Sequence, residues 1–283
     1  MDMSIRTIPA TKAEIATECF GDISAPPILL IMGAMASMLW WPDCFCRALA
    51  DNGHFVIRYD NRDTGQSTHY PPGEPGYKLC DMIDDALHVL DAYNIPAAHI
   101  VGMSLGGMIA QNLAVGHPDR VLSLTVISSS PLGVEEDLPP PSNRYMEHAA
   151  TGETVDWSDR QQVIDFMLAE CAVITSRKHP FDKDSTRRFI EADYDRARNF
   201  PSTTNHFSLF ADDFNLGRVA DATCPTLVLH GTADPIFPID HGRALAKAAC
   251  SARIIEIDGG GHELHPEDHQ QIIAGITDHI SQI

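Results

Sequence analysis

The chain has 283 residues, 44% of them hydrophobic and 21% charged, which excludes wholesale disorder and a collagen-like repeat. A net charge of −19 repels phosphate backbones and anionic lipid, and so argues against a nucleic-acid or membrane partner. The longest mostly apolar run, residues 28–41, is too short to cross a bilayer, and no apolar segment follows a basic start at the N-terminus, so neither a membrane span nor a signal peptide is expected.

In chain order, residues 14–20 alternate and predict a half-exposed antiparallel edge strand. Residues 28–32 and 55–59 are near-continuous apolar runs, predicted as strands buried on both faces. Cys44 and Cys46 read as two half-buried thiols on a helix. Leu79, Met82, Ile83, Ala86, Leu87 and Leu90 form one helical stripe, with Pro96 just beyond its end. A buried strand at 99–103 leads into a second stripe, Leu105, Met108, Ile109 and Leu113, and then into a strand at 122–127. The rhythm breaks from 130 to 217, which opens Pro-rich and continues as helical pieces at 163–173 and 185–198 without a convincing strand. Strands at 226–230 and 254–257 follow, read as buried on both faces like the others. The last helix carries Ile272, Ile273, Ile276 and Ile280, with Pro266 and Glu267 suited to its first turn. Strands alternating with helices predict an α/β fold with a mostly parallel, doubly wound sheet and helices on both faces. The expected domains are a core at 1–129 and 218–283 with a helical insertion at 130–217. Seven cysteines without disulfide or zinc spacing fit a reducing cytoplasm.

Gly102-Met103-Ser104-Leu105-Gly106 fits G-x-S-x-G, with a predicted strand before it and a helix after it. A sharp strand-to-helix turn strains the central residue and leaves no room for side chains two positions away, a demand that Gly102 and Gly106 meet. Ser104 would then project over the C-terminal edge of the sheet, at a helix N-terminus that favours developing negative charge. A turn without chemistry is the competing reading.

A serine hydroxyl needs a base, and the base needs an orienting acid. His262 follows a strand after three glycines that let the loop fold over the sheet edge. His230 reads as packing, and His265 and His269 as solvated positions beside the last helix. His262 and His265 are three apart and Pro266 follows, so no metalloprotease string is present and no metal is expected. Asp234, four residues past the strand end at His230, is the candidate acid, although an Asx-turn role is open to it. Its rivals are Asp258, which could solvate the turn, and Asp240, which reads as a helix N-cap. Two backbone N–H groups should hold the oxyanion, one on Leu105 and one in the loop after residues 28–32, on Ala34 with Met35 as rival. Trp40 and Trp41 follow that loop, and could wall the acyl pocket or pack in the core.

Together with residues 57–67, the segments 31–34, 101–107, 230–235 and 260–262 resemble the α/β-hydrolase superfamily, in particular serine esterases of the aclacinomycin methylesterase type. The resemblance implies an α/β-hydrolase fold, a triad of Ser104, Asp234 and His262, and oxyanion donors on Ala34 and Leu105. It gives Arg62, Asp63 and Ser67 a structural role in the turn after the second parallel strand, and makes the insertion a helical cap. Many superfamily members carry His-Gly where this chain has Met32-Gly33. From the cap, His206 is a candidate for facing the substrate. The expected activity is cofactor-free hydrolysis, by water through an acyl-enzyme, of a carboxylic ester of a small to medium, largely apolar molecule. Alternatives are a lactone, an amide or a carbon–carbon bond on the same triad, or a non-catalytic ligand-binding protein.

Overall fold

The computed structural model describes residues 5–209 and 217–283. The strands are β1 (Arg6–Ala10), β2 (Ala13–Phe20), β3 (Pro27–Ile31), β4 (Phe55–Tyr59), β5 (Ala98–Met103), β6 (Val121–Ile127), β7 (Thr226–Gly231) and β8 (Ala252–Ile257). They form one sheet in the order β1-β2-β4-β3-β5-β6-β7-β8. Pairing is antiparallel from β1 through β2 to β4 and parallel from β4 onward. Strand order reverses at β3, between β4 and β5, where open α/β sheets place ligands beyond the C-terminal strand ends.

The helices of the core are α1 (Asp43–Asp51), α2 (Leu79–Ala92) and α3 (Leu105–Gly116), followed late in the chain by α8 (Ile239–Ala248) and α9 (His269–Ile280). The stripe on α2 packs with α3 against one face of the sheet, in a cluster that includes Leu29, Ile57 and Ile100. Phe45 and Leu49 of α1 join Ile272 and Ile276 of α9 on the other face, against Ile28, Val56 and Val101. Alternate residues of each central strand thus feed opposite layers, which is why those runs are apolar throughout.

Four expectations need correction. β2 is not an edge, because β1 pairs along it with Ile8 opposite Ile15; Ile8 is buried while its neighbours on β1 are exposed. β8 is not buried on both faces: it closes the far edge of the sheet and is half-buried along most of its length. The two thiols on α1 differ, Cys46 being buried and Cys44 exposed, since residues two apart point to different sides of a helix. Asp240 is in the first turn of α8 rather than at its cap, which is Pro238.

Between β6 and β7 lie α4 (Asn143–Thr151), α5 (Arg160–Ile174), α6 (Lys183–Arg196) and the short α7 (Asn205–Ser208), with no strand among the described residues. Residues 210–216 of the expected insertion lie outside the described residues. Sequence periodicity anticipates α5 and α6. It misses α4, which buries no residue and so carries no apolar stripe. Val163, Ile164, Met167, Leu168 and Cys171 of α5 build a separate apolar cluster with Ile190, Phe200 and, from the loop after β3, Met35.

The turn after β4 is held by buried polar groups. Arg62 grips Asp85 of α2 through two hydrogen bonds of 2.7 and 2.8 Å. Asp63 accepts from the Tyr77 hydroxyl, and Ser67 donates to the Asp60 carbonyl while accepting from the Ala16 N–H. Breaking a buried ion pair from one side strands the other charge. Arg62→Met should therefore lower the unfolding free energy by about 3–5 kcal/mol, measured by urea denaturation.

Candidate active site

Ser104 joins β5 to α3 with φ 53° and ψ −121°, a left-handed backbone that a serine rarely adopts. The sequence around it removes every Cβ that would obstruct the bend. A Cβ on Gly102 would collide with the Gly106 backbone, and one on Gly106 with the Ile31 carbonyl. The Ser104 N–H donates to the Ile127 carbonyl, and the Ser129 hydroxyl donates to the Ser104 carbonyl at 2.7 Å. Motif reading misses this contact of Ser129. Its signal was its place just past the C-terminal end of a predicted strand.

His262 and Asp234 meet although 28 positions separate them. The His262 Nδ1–H donates to Asp234 Oδ2 at 2.8 Å, which leaves Nε2 as the free ring nitrogen. Asp234 Oδ1 accepts from the N–H groups of Ile236 and Phe237. One carboxylate oxygen thus makes the Asx-turn contacts and the other meets the imidazole. Burial alone would raise the Asp234 pKa, but the charge and hydrogen bond of His262 hold it below the ordinary range. Asp258 and Asp240 are exposed, and neither bonds His262. His230 donates from Nε2 to the Phe237 carbonyl and packs its Nδ1 edge against Gly242; burial keeps its pKa low. The Ser104 hydroxyl lies at the end of β5 and is not hydrogen-bonded to the imidazole in this arrangement.

The loop after β3 runs alongside Ser104. A Cβ on Gly33 would lie 3.0 Å from the Ser104 Cβ and 3.6 Å from its Oγ, so glycine is what lets the two backbones approach. Met35, with φ 62°, donates its N–H to His206 Nδ1 at 3.0 Å. That removes Met35 from the choice of oxyanion donor. The N–H groups of Ala34 and Leu105 have no acceptor among the described residues.

His206 does not face a ligand. It is fully buried, and its second nitrogen donates to the Arg62 carbonyl at 2.7 Å. Burial lowers its pKa, consistent with a neutral ring that accepts at Nδ1 and donates at Nε2. Trp40 is half-buried: its indole N–H donates to Asp193 of α6 at 2.9 Å, and its ring meets Phe189 edge-on. Trp41 is fully buried in the core. The Ser37 hydroxyl also donates to Asp193, and Arg196 pairs with buried Asp60 at 2.7 Å. The insertion therefore grips the loop after β3 through Met35, Ser37 and Trp40, and the turn after β4 through Asp60.

A second set of contacts ties the insertion to the loops carrying Asp234 and His262. The His262 N–H donates to the Ile174 carbonyl at the end of α5, and the Arg177 N–H to the Gly259 carbonyl. Glu263 accepts from the Ser176 N–H and the Thr175 hydroxyl. The Ser142 N–H, at the start of α4, donates to the Pro235 carbonyl. Above this junction sit Tyr145, His148 and Glu170, none of them singled out by the sequence reading. The available signal was a lone carboxylate in the otherwise apolar run 167–174. Burial pushes the Glu170 pKa up to about 7, against the opposing pull of His262 and of the nearby Tyr145 hydroxyl.

Near this junction, the ligand atoms of His179, His265 and Asp268 lie within 4.8 Å of one another, with His179 Nε2 3.0 Å from Asp268 Oδ1. No helix among the described residues is long and apolar enough to cross a membrane.

A doubly wound sheet with a strained serine after β5, and with an acid and a histidine paired beyond β7 and β8, defines a hydrolase-type scaffold. The alpha/beta hydrolase fold family model matches residues 26–269, and the chain belongs to that family. It is 34% identical over 293 residues to rhodomycin D methylesterase DauP of Streptomyces sp. (strain C5) and 33% identical to rhodomycin D methylesterase DnrP of Streptomyces peucetius, with 98% of each chain covered in both cases. Among solved structures it is similar to the esterase RhEst1 from Rhodococcus sp. ECU1013, with a TM-score of 0.80, 21% identity and 99% of each chain covered.

Two consequences can be measured. His206→Leu strands the Met35 N–H and the Arg62 carbonyl, and should cost about 2 kcal/mol or more in urea unfolding. For Glu170, the folded chain keeps its proton up to about 7, while the unfolded chain releases it near the ordinary 4.5. Its contribution to stability therefore falls as pH rises through that window and levels off above it. The melting temperature of Glu170→Gln relative to the parent should accordingly climb between pH 5 and pH 8.

Proposed function

We propose that this protein is a serine hydrolase cleaving a carboxylic ester through an acyl-enzyme, with Ser104 as nucleophile, His262 as base and Asp234 as orienting acid. The observation that carries the reading is the Asp234–His262 hydrogen bond, at the same sheet edge as the strained serine that Gly33 closely approaches. Ser104 Oγ attacks the ester carbonyl and gives its proton to His262 Nε2. The oxyanion is held by the N–H groups of Ala34 and Leu105, neither of which has an acceptor among the described residues. His262 then protonates the departing alcohol, and a water molecule, deprotonated by the same ring, releases the acid and regenerates Ser104.

Residues 130–217 act in this reading as a cap over the site. Similarity to two methylesterases along nearly the whole chain favours esters over other acyl bonds and makes methyl esters the first class to test. Seven cysteines, none of them paired, suit a reducing cytoplasm.

A fluorophosphonate should label the protein at Ser104, mapped by peptide mass. A panel of one ester, one lactone and one vinylogous diketone should rank the ester first by kcat/KM. Ser104→Ala should lower kcat/KM on that ester by about a thousandfold or more. Full activity in Ser104→Ala would overturn the assignment.

A further inference from the structure

The seam between the insertion and the loop bearing His262 runs on past α5. Ile174 accepts from the His262 N–H, the Ser176 N–H donates to Glu263, and the Arg177 N–H donates to the Gly259 carbonyl. Two residues further along, His179 reaches the start of α9. Its Nε2 lies 3.0 Å from Asp268 Oδ1, and its ring stacks on that of His265, with centroids 4.4 Å apart and planes 17° off parallel. His265 and Asp268 bracket a single 3-10 turn, Pro266–Asp268. Positions three apart are eclipsed in such a turn, so both side chains come out on one side of it.

Two imidazoles and a carboxylate thus converge from opposite sides of the seam. Their donor atoms lie within 4.8 Å of one another. Donor atoms around a four-coordinate zinc lie about 3.3 Å apart, so closing the cluster onto an ion takes a shift of about 1 Å or more. The His179 and Asp268 side chains are only 10% and 7% exposed, which limits their hydration. Asp268 pairs with no Arg or Lys among the described residues, and His179 is its ion-pair contact.

The surroundings also suit a metal ligand. A coordinating histidine usually donates its other ring N–H to an outer carboxylate. His179 Nδ1 has one in range, Glu267 Oε2 at 4.0 Å. With its proton on Nδ1, facing Glu267, His179 presents a bare Nε2 beside Asp268 Oδ1. A net charge of −19 favours the approach of a cation. Spacing within the sequence gives no sign of this cluster, because His179 stands 89 positions before Asp268.

We propose that His179, His265 and Asp268 form a zinc-type metal site that clips the insertion to the start of α9. Three protein donors leave the fourth position of the ion to water. Two imidazoles select a borderline ion over magnesium or calcium. The clip holds the seam beside the His262 loop and takes no part in bond making, so it stands whether or not the chain hydrolyses esters.

The test uses tag-free protein stripped with a chelator and titrated with zinc chloride in a calorimeter. One ion per chain should bind with a Kd of about 1 μM or tighter. At a free zinc concentration of about 100 times Kd the melting temperature should rise by about 3 °C or more, while magnesium leaves it unchanged. His179→Ala, His265→Ala and Asp268→Asn should each weaken binding by about tenfold or more, and Glu267→Gln by less. His262→Ala should leave the affinity in place, which separates this cluster from the Asp234–His262 pair. Cobalt in the parent protein needs no variant at all. It should give the intense visible bands of a four-coordinate ion.

An affinity no better than about 100 μM, equal stabilisation by magnesium, or the pale spectrum of six-coordinate cobalt would overturn the proposal. So would zinc binding that survives all three ligand substitutions, or that disappears in His262→Ala and persists in His179→Ala. Circular dichroism of each metal-free variant checks that a lost affinity is not a lost fold. If a variant fails that check, the cobalt spectrum and the zinc-to-chain ratio of the parent decide the matter.

Discussion

The structure depends on holding one serine in a backbone conformation that its side chain disfavours. A left-handed residue persists only where its surroundings leave no alternative. Here the surroundings are the end of β3 pressed against the first turn of α3, and the end of β6 bonded to Ser104 through Ile127 and Ser129. Gly102 and Gly106 are spaced by the geometry of that contact, and Gly33 by the approach of the neighbouring loop. The motif in the sequence thus records a packing problem at the centre of the sheet. The orientation of the hydroxyl is a by-product of its solution.

The helical insertion belongs to the site as much as the sheet does. Asp193 and His206 fasten the loop after β3, Arg196 fastens the turn after β4 through Asp60, and Ile174, Ser176 and Arg177 fasten the loop that bears His262. Met35 contributes at once to the insertion's apolar cluster and, through its N–H, to the position of its own loop. The strand ends carry Ser104, Asp234 and His262, and the insertion is bonded to the loops around them.

Sheet and site were legible to different depths. Buried parallel strands carry apolar residues on both faces, so β3 to β7 stood out as runs, and the strained turn required glycines that a motif can count. β1 escaped because only Ile8 of its five residues is buried. α4 escaped because its contribution is polar, with Tyr145 and His148 turned toward α5 rather than an apolar stripe turned toward a core. His206 was misread for a related reason. A histidine in a helical insertion suggests a ligand contact, and nothing in its neighbours announces that two backbone groups 144 and 171 positions away will take both ring nitrogens. Long-range polar satisfaction has no local periodicity.

The bond from Met35 to His206 also bears on how such proteins diversify. An insertion between two strands looks like an exchangeable module, free to vary while the sheet keeps its chemistry. In this chain the exchange is not free, because the module lends an imidazole acceptor to the sheet's own loop. A transplanted segment would have to bring an equivalent acceptor to the same spot, or the recipient scaffold would lose the alignment of the backbone amides beside its serine.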